Sequence, residues 1–523
     1  MSSTANRVVK NTGFLYAKMS ITMFISLYTT RLILNSLGAS DFGIFNIVGG
    51  AISMLSFLNA TMSSATQRFM SYSEGEGNKE KQKSIFNISL ILHFVTSIIA
   101  GIILLIAGIL FFNGLLDIPS TRIWAAQVVY ASLIISTMFT VMTVPYEAIM
   151  NAHENMKYYA IVGVFESLLK LFVALACVYT VYDKLIVYGI LMACIPLITL
   201  TIMRVYCHKH YSECTISPRK YWDKTIIKDM ASFAGWNFMG SASSLIGNYG
   251  IGIVLNYFHG VTLNAAQGIA NQLNGQFMAF STNMLKALNP VIAKTEGAGN
   301  RHKMIQASST GCKFSFYMLA FFAVPAIIEM PYLLKLWLKN VPEWAVVFTR
   351  LQLIRTLIEQ STIVFGSSLS AQGKIAQLNI INMIINFSPI LLISQLFSMG
   401  YSPIMMYVVN ISIFGIAAAG VKVFYMNKNC GMKYSFFFRT VLFPISFVFS
   451  IQLFISYIPT FYIKESFIRL LIICVISSTS FLVLFWSLGI TSQEKNSIKA
   501  IIHILYNKFI KTLFPKFQKE ALP

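Results

Sequence analysis

The sequence predicts an all-α polytopic membrane protein of about fourteen transmembrane helices, built as two parallel six-helix pseudo-repeats around a central cavity with two extra C-terminal helices. Three observations predict it. Apolar stretches of spanning length recur along the 523 residues, the 40 lysines and arginines sort into alternating loops, and the chain repeats itself once.

The apolar stretches cover residues 12–36, 42–66, 84–113, 122–150, 158–182, 184–203, 230–257, 261–289, 314–334, 345–369, 375–398, 402–421, 440–460 and 467–489. With 56% hydrophobic and 11% charged residues and a mean hydropathy of +0.66, the chain is too apolar for a soluble domain of this size. The first stretch lacks a small-residue cleavage site and reads as a retained signal anchor.

The basic residues give the orientation. With a cytoplasmic amino terminus, 28 of the 40 fall on cytoplasmic segments, from Arg7 and Lys10 to the lysines after residue 494. Lys294, Lys313 and Lys422 are counted there. Only Arg122, Lys184, Lys335, Lys339, Lys464 and Arg469 fall outside, and both termini come out cytoplasmic. The net charge of +21 therefore reflects topology and anionic lipid headgroups, and no nucleic acid partner is expected. The tail over 491–523, with Ile498, Ile501, Ile502, Leu505 and Phe509 on one face, reads as an amphipathic helix along the cytoplasmic interface.

Repetition divides the chain. L-N-S-L-G-A-S-D-F-G from Leu34 leads to S-E-G-E-G-N at Ser73–Asn78; about 222 residues later, L-N-Y-F-H-G from Leu255 leads to T-E-G-A-G-N at Thr295–Asn300. N-A-H-E-N-M-K from Asn151 and S-A-Q-G-K from Ser370 echo at nearly the same offset. Six spans per repeat give two halves of the same orientation. The expected division is 1–229 for the N-terminal lobe with its basic linker, 230–430 for the C-terminal lobe, 431–490 for the two added helices and 491–523 for the tail. The glycine-punctuated turns match neither the Walker nor the dinucleotide pattern, so they read as helix stops and hinges.

No loop is long enough to fold as a catalytic domain, so the function resides among the helices and the chain is not expected to be an enzyme. No cofactor is expected. Seven cysteines, none in an external loop, argue against a disulfide framework, and Cys207, His208, His210 and Cys214 lack a metal-ligand pair spacing.

Six bases lie inside spans: Lys18, Arg31, Lys170, Lys286, Arg350 and Arg355. Each ionised side chain at mid-bilayer costs roughly 2.5–3.5 kcal/mol, so each needs a reason. Glu166 with Lys170, and Arg355 with Glu359, are four apart and form buried charge pairs. Lys18, Arg31, Lys286 and Arg350 remain without a local partner, either snorkelling to headgroup level or lining a cavity. The eighth span adds amides at Asn264, Gln267, Asn271, Asn274, Gln276 and Asn283, with Gln272 beside them, at helical spacing. Such a stripe serves as interhelical glue or as a cavity wall suited to sugar hydroxyls and phosphate oxygens.

The repeated glycine turns, R-L-I-L-N-S-L-G-A-S-D-F-G-I-F-N from Arg31, A-T-Q-R-F at Ala65–Phe69 and two terminal spans beyond the repeat together resemble the polysaccharide flippases. These are the Wzx-type O-antigen and capsule transporters of the multidrug/oligosaccharidyl-lipid/polysaccharide exporter (MATE-like) superfamily. The resemblance implies translocation of an undecaprenyl-diphosphate-linked oligosaccharide to the outer leaflet by alternating access. It also implies that spans one, two, seven and eight wall the cavity, with Lys18, Arg31 and the face from Asn264 to Lys286 on it. The candidate partners are that lipid-linked oligosaccharide, the bilayer, H⁺ or Na⁺ as coupling ion, and other glycan-assembly proteins. Multidrug antiporters of the superfamily are the alternative, but the first, second, seventh and eighth spans contain no Asp or Glu. A polymerase or glycosyltransferase would need a long external loop with paired acids or arginines.

Overall fold

The computed structural model describes residues 2–53, 56–115, 119–338, 341–373, 375–496 and 498–499. Among them every regular element is helical, and ten helical segments are long and apolar enough to cross a membrane. Lipid offers no hydrogen-bond partner to the backbone, so spanning segments satisfy it internally as helices. The tail stripe from Ile501 to Phe509 lies outside the described residues.

The first apolar stretch and the start of the second share one element, α1 (Ser2–Ser53), broken only at Gly38 (φ 78°, ψ 169°), and the rest of the second opens the next helix. The seventh and eighth share α7 (Lys224–Gly297), broken at Gly260 (φ 81°, ψ −179°). That conformation is open to glycine alone, so one residue does the work of a short loop. Between them stand α2 (Ser56–Glu76), α3 (Lys79–Leu110), α4 (Ile123–Ala152), α5 (Met156–Tyr179) and α6 (Lys184–His210). After α7 come α8 (Arg301–Ile328), the short α9 (Met330–Trp337), α10 (Ala345–Gln360), α11 (Ile363–Ala371), α12 (Ala376–Ser398), α13 (Ile404–Cys430), α14 (Tyr434–Tyr462) and α15 (Phe467–Gly489).

The predicted span over 345–369 is thus two helices. Ser361 turns its hydroxyl onto the Ile358 carbonyl, and Thr362 leaves helical geometry with φ −134°.

The repeat is written in the backbone. Gly77 (φ 72°) and Gly299 (φ 73°) end α2 and α7, and the next residues, Asn78 and Asn300, cap α3 and α8 by accepting from the amides of Lys81 and Lys303. Glu154 (φ 57°) and Gly373 (φ 81°) take left-handed positions in the echoing turns. Within the first repeat α4 packs on α3 and α6, and α1 on α5; within the second, α7 packs on α8, α10 and α12. The two sets meet where α7 crosses α2 and α1. Arg122 ties the start of α4 to Asp41 of α1 and to Asp183 before α6.

Two bases assigned to loops from the sequence are buried within helices. Lys313, 2% exposed in α8, pairs with Glu494 at 2.6 Å, and Arg469 in α15 pairs at 2.7 Å with the fully buried Glu329 at the end of α8. Their partners are remote in sequence, so short-range counting placed them in water. Helices α14 and α15 therefore clasp α8, sharing a core in which Tyr317, Val448 and Phe481 meet.

Candidate functional site

Helical spacing puts Met19, Thr22, Ser26, Thr29 and Ile33 on one face of α1. That face, with Ser167 and Lys170 of α5, Tyr188 and Met192 of α6, and Gln276 and Phe280 of α7, encloses a cavity of about 730 Å³. Hydroxyls and one amide alternate with Met and Phe, which suits a ligand with polar and apolar parts. Among the described residues its one charged lining side chain is Lys170.

Lys18 lies one turn further down α1. Its Nζ sits 4.2 Å from the centre of the Tyr159 ring, and its stem lies so close to Gly163 that a Cβ there would fall 2.1 Å from Lys18 Cε. Lys18 is in the electrostatic field of Lys286, Glu147, Glu166 and Lys170. Four helices, α1, α4, α5 and α7, thus bring three lysines and two glutamates to the cavity floor. Glu147 lies near the end of α4, and nothing local in the sequence marks it, because its charged neighbours Lys18, Lys286 and Glu166 come from other helices.

Beneath that floor, on the base-rich face, the two repeats close on one another. The first glycine of each repeated turn sits on the other's backbone: a Cβ at Gly75 would lie 2.0 Å from Lys294 O, and one at Gly297 would lie 2.1 Å from Tyr72 O. Lys294 Nζ stands 3.8 Å from Glu74 and 3.6 Å from Glu154, and Arg68 Nη2 donates to Ala371 O at 2.8 Å. Tyr16 Oη donates to Phe280 O at 2.8 Å.

Glu74, His153 and Glu213 also converge here, with candidate ligand atoms within 4.8 Å of one another. His153 turns Nδ1 to Glu74 and Nε2 to Glu213, on opposite sides of its ring, and Lys79 sits 3.1 Å from Glu74. The arrangement is an ion-pair network rather than a convergent metal shell. Burial pushes both carboxyls up, but His153 and hydrogen bonds, from Lys79 and Gln82 for Glu74, hold them below the usual range. Their contribution to stability is therefore present above the ordinary value of 4.5 and is lost as pH falls below it through the lowered values. Unfolding temperature in detergent should drop on acidification below that point, and less so in Glu74→Gln; an equal drop in both would show that the network does not carry the effect.

The residues singled out from the sequence separate into groups. Gln276 lines the cavity, while Asn274 accepts from Thr356 of α10 at 2.7 Å, which is interhelical glue. Gln267 is buried, Asn271 and Lys286 are exposed, and Asn283 donates to Ala279 O and faces Met19 Sδ. Arg350 donates to the carbonyls of Ile327 and Ile328, capping the end of α8. The side chains of Arg31 and Asn264 lie outside the described residues. The Arg355–Glu359 pair, at 2.7 Å, is largely covered, with Arg355 over the Phe414 ring.

The Glu166–Lys170 pair corrects an expectation. It forms at 2.6 Å, but its side chains are 36% and 42% exposed, because that face of α5 meets the cavity instead of a packed neighbour. At the end of α6, His208 packs on Phe86 and His210 stacks on Tyr206, while Cys207 and Cys214 bring their thiols within hydrogen-bond reach of one another.

The sequence profile described as "Polysaccharide biosynthesis protein" matches residues 8–296. No curated protein matches the chain by sequence. Among solved structures, the chain is similar to a MATE transporter in its bent conformation (15% identity, TM-score 0.71, covering 82% of this chain and 97% of that one). It is similar also to an outward-facing multidrug resistance MATE family transporter of the MOP superfamily (16% identity, TM-score 0.69, 82% and 96% covered). A third is a MOP superfamily transporter from Pyrococcus furiosus, described as having a binding pocket of reverse polarity that suggests a different function (16% identity, TM-score 0.67, 82% and 96% covered). At these identities the likeness is one of fold.

Proposed function

The chain belongs to the polysaccharide biosynthesis protein family, and from that premise we propose that it is a flippase for a lipid-linked oligosaccharide. It carries an undecaprenyl-diphosphate-linked glycan from the cytoplasmic to the outer leaflet of a bacterial inner membrane, and it is not an enzyme. The base-rich face is cytoplasmic. The lobes 1–229 and 230–430 rock against one another, while 431–490 braces the second lobe and 491–523 lies along the membrane surface. H⁺ or Na⁺ drives the cycle, and other glycan-assembly proteins supply and receive the cargo.

The observation that carries the reading is the charge of the cavity: Lys170 is its one charged lining side chain among the described residues, and Lys18 and Lys286 stand at its floor. Fixed bases replace the water that a diphosphate loses on entering an apolar slab. Lys18, Arg31 and Lys286 hold the headgroup, and Gln276, Asn271 and Asn283 meet the first sugars. Gln267 and Asn274 position the helix, Asn264 extends the stripe, and Arg350, spent on the end of α8, plays no part in contact.

A second reading, export of cationic drugs, draws support from the likeness to multidrug transporters. It requires acids that dominate where the ligand sits, whereas Glu147 and Glu166 are outnumbered there by Lys18, Lys170 and Lys286. Cells carrying Lys18→Gln with Arg31→Gln should lose surface glycan at least about tenfold while the protein stays in the membrane. Normal display from that double variant would count against the reading.

A further inference from the structure

We propose that Glu166 is a built-in stand-in for the cargo's anion: it pairs with Lys170 and is displaced when a phosphate group arrives. The inference rests on the flippase reading and adds to it a second site of exchange, beyond the bases already assigned to the headgroup.

A structural role explains this pair poorly. Both residues lie on α5, one turn apart, so their contact joins the helix only to itself. An i,i+4 pair of this kind contributes only about 0.3–0.5 kcal/mol. The pairs that tie α8 to the C-terminal helices are covered: Arg469–Glu329 is 10% and 0% exposed, and Lys313–Glu494 is 2% and 15% exposed. Glu166 and Lys170 are instead open, and Lys170 faces the cavity.

The surroundings suit an incoming phosphate. Around Lys170 the wall presents the Thr29 hydroxyl, which has no partner among the described residues, and the amide of Gln276, both able to donate to phosphate oxygens; Thr30 and Ser167 donate to Ser26 O and Gly163 O, and Met23 and Phe280 offer apolar surface to a hydrocarbon chain. Glu166 has somewhere to go. Lys18 lies within its electrostatic reach and is held by the Tyr159 ring, which a carboxylate can replace. At this first contact, before the headgroup reaches Lys18, displacement moves Glu166 from one lysine towards another, and neither carboxylate nor phosphate is left unpaired.

The ligand class is a phosphate ester or diphosphate, which a lipid headgroup or free pyrophosphate could supply. Purified full-length protein in detergent would be titrated calorimetrically with farnesyl diphosphate and, separately, with inorganic pyrophosphate. Glu166→Gln should bind farnesyl diphosphate about tenfold tighter than wild type, and Lys170→Gln about tenfold weaker, with unchanged unfolding temperatures. Glu166→Asp, one methylene too short to hold Lys170, should also tighten binding and serves if the glutamine variant fails to fold. Pyrophosphate should bind more weakly than the lipid in every variant and show the same gain in Glu166→Gln; equal affinity for both would overturn a lipid headgroup as the source. Wild-type binding with no gain, or a loss, in the Glu166 variants would overturn the exchange while leaving the flippase reading intact. No binding of farnesyl diphosphate by wild type would overturn both.

Discussion

Gly75→Val and Gly297→Val should each abolish glycan export, with the protein still present in the membrane. In both cases the new side chain meets a backbone carbonyl of the opposite repeat, at 2.0 Å for Gly75 and 2.1 Å for Gly297, and a carbonyl inside a helix cannot rotate away. The helices must separate, and overpacking of this kind typically costs about 1–3 kcal/mol. That cost falls on the arrangement in which α2 and α7 cross and close the base-rich face. Lys294 would also withdraw from Glu74 and Glu154, so the seal loses its charge contacts too. The check is a cysteine at Ser73, which is fully buried. It should resist a membrane-impermeant maleimide in the otherwise wild-type protein and react in the valine variants. Gly77 is the control: nothing lies within 4 Å of a Cβ there, so Gly77→Asn, tolerant of the left-handed φ of 72°, should keep both export and protection.

The second large effect is on stability. Arg469→Met leaves Glu329, with no side-chain exposure, without the guanidinium that reaches both of its oxygens at 2.7 and 3.1 Å. Breaking one partner of a buried pair costs about 3–5 kcal/mol, whereas removing both can be nearly neutral. Unfolding in detergent should therefore occur several degrees lower in Arg469→Met, with most of the loss recovered in Arg469→Met/Glu329→Gln. If the double variant unfolds no later than the single one, the pair is not what clasps α14 and α15 to α8.

Helices were legible in the sequence because a bilayer permits few alternatives, and the repeat was legible because its turns need glycine at fixed places. Gly77 and Gly299 are the helix stops that the spacing predicts. Gly75 and Gly297, two residues earlier, have another task, and it stayed hidden because the atoms they approach, Lys294 O and Tyr72 O, belong to the other repeat. The same distance hid the partners of Lys313 and Arg469, which are 181 and 140 residues away. Within the site, four-residue spacing correctly paired Glu166 with Lys170, since that geometry is local. Spacing says nothing of what the pair faces, and here Lys170 faces a cavity. The amide stripe on α7 shows the same limit: one regular pattern supplies a wall residue at Gln276 and a strut at Asn274, because what each touches depends on which helix lies opposite.

The most direct measurement is a flipping assay in sealed proteoliposomes containing the purified chain and a fluorescent undecaprenyl-diphosphate oligosaccharide, read by the fraction accessible to an impermeant quencher. Redistribution between leaflets should be fast with wild-type protein, and reduced to the rate of protein-free liposomes by Lys18→Gln/Arg31→Gln. Redistribution no faster than in protein-free liposomes, alongside transport of an organic cation by the same preparation, would contradict an anionic lipid-linked cargo.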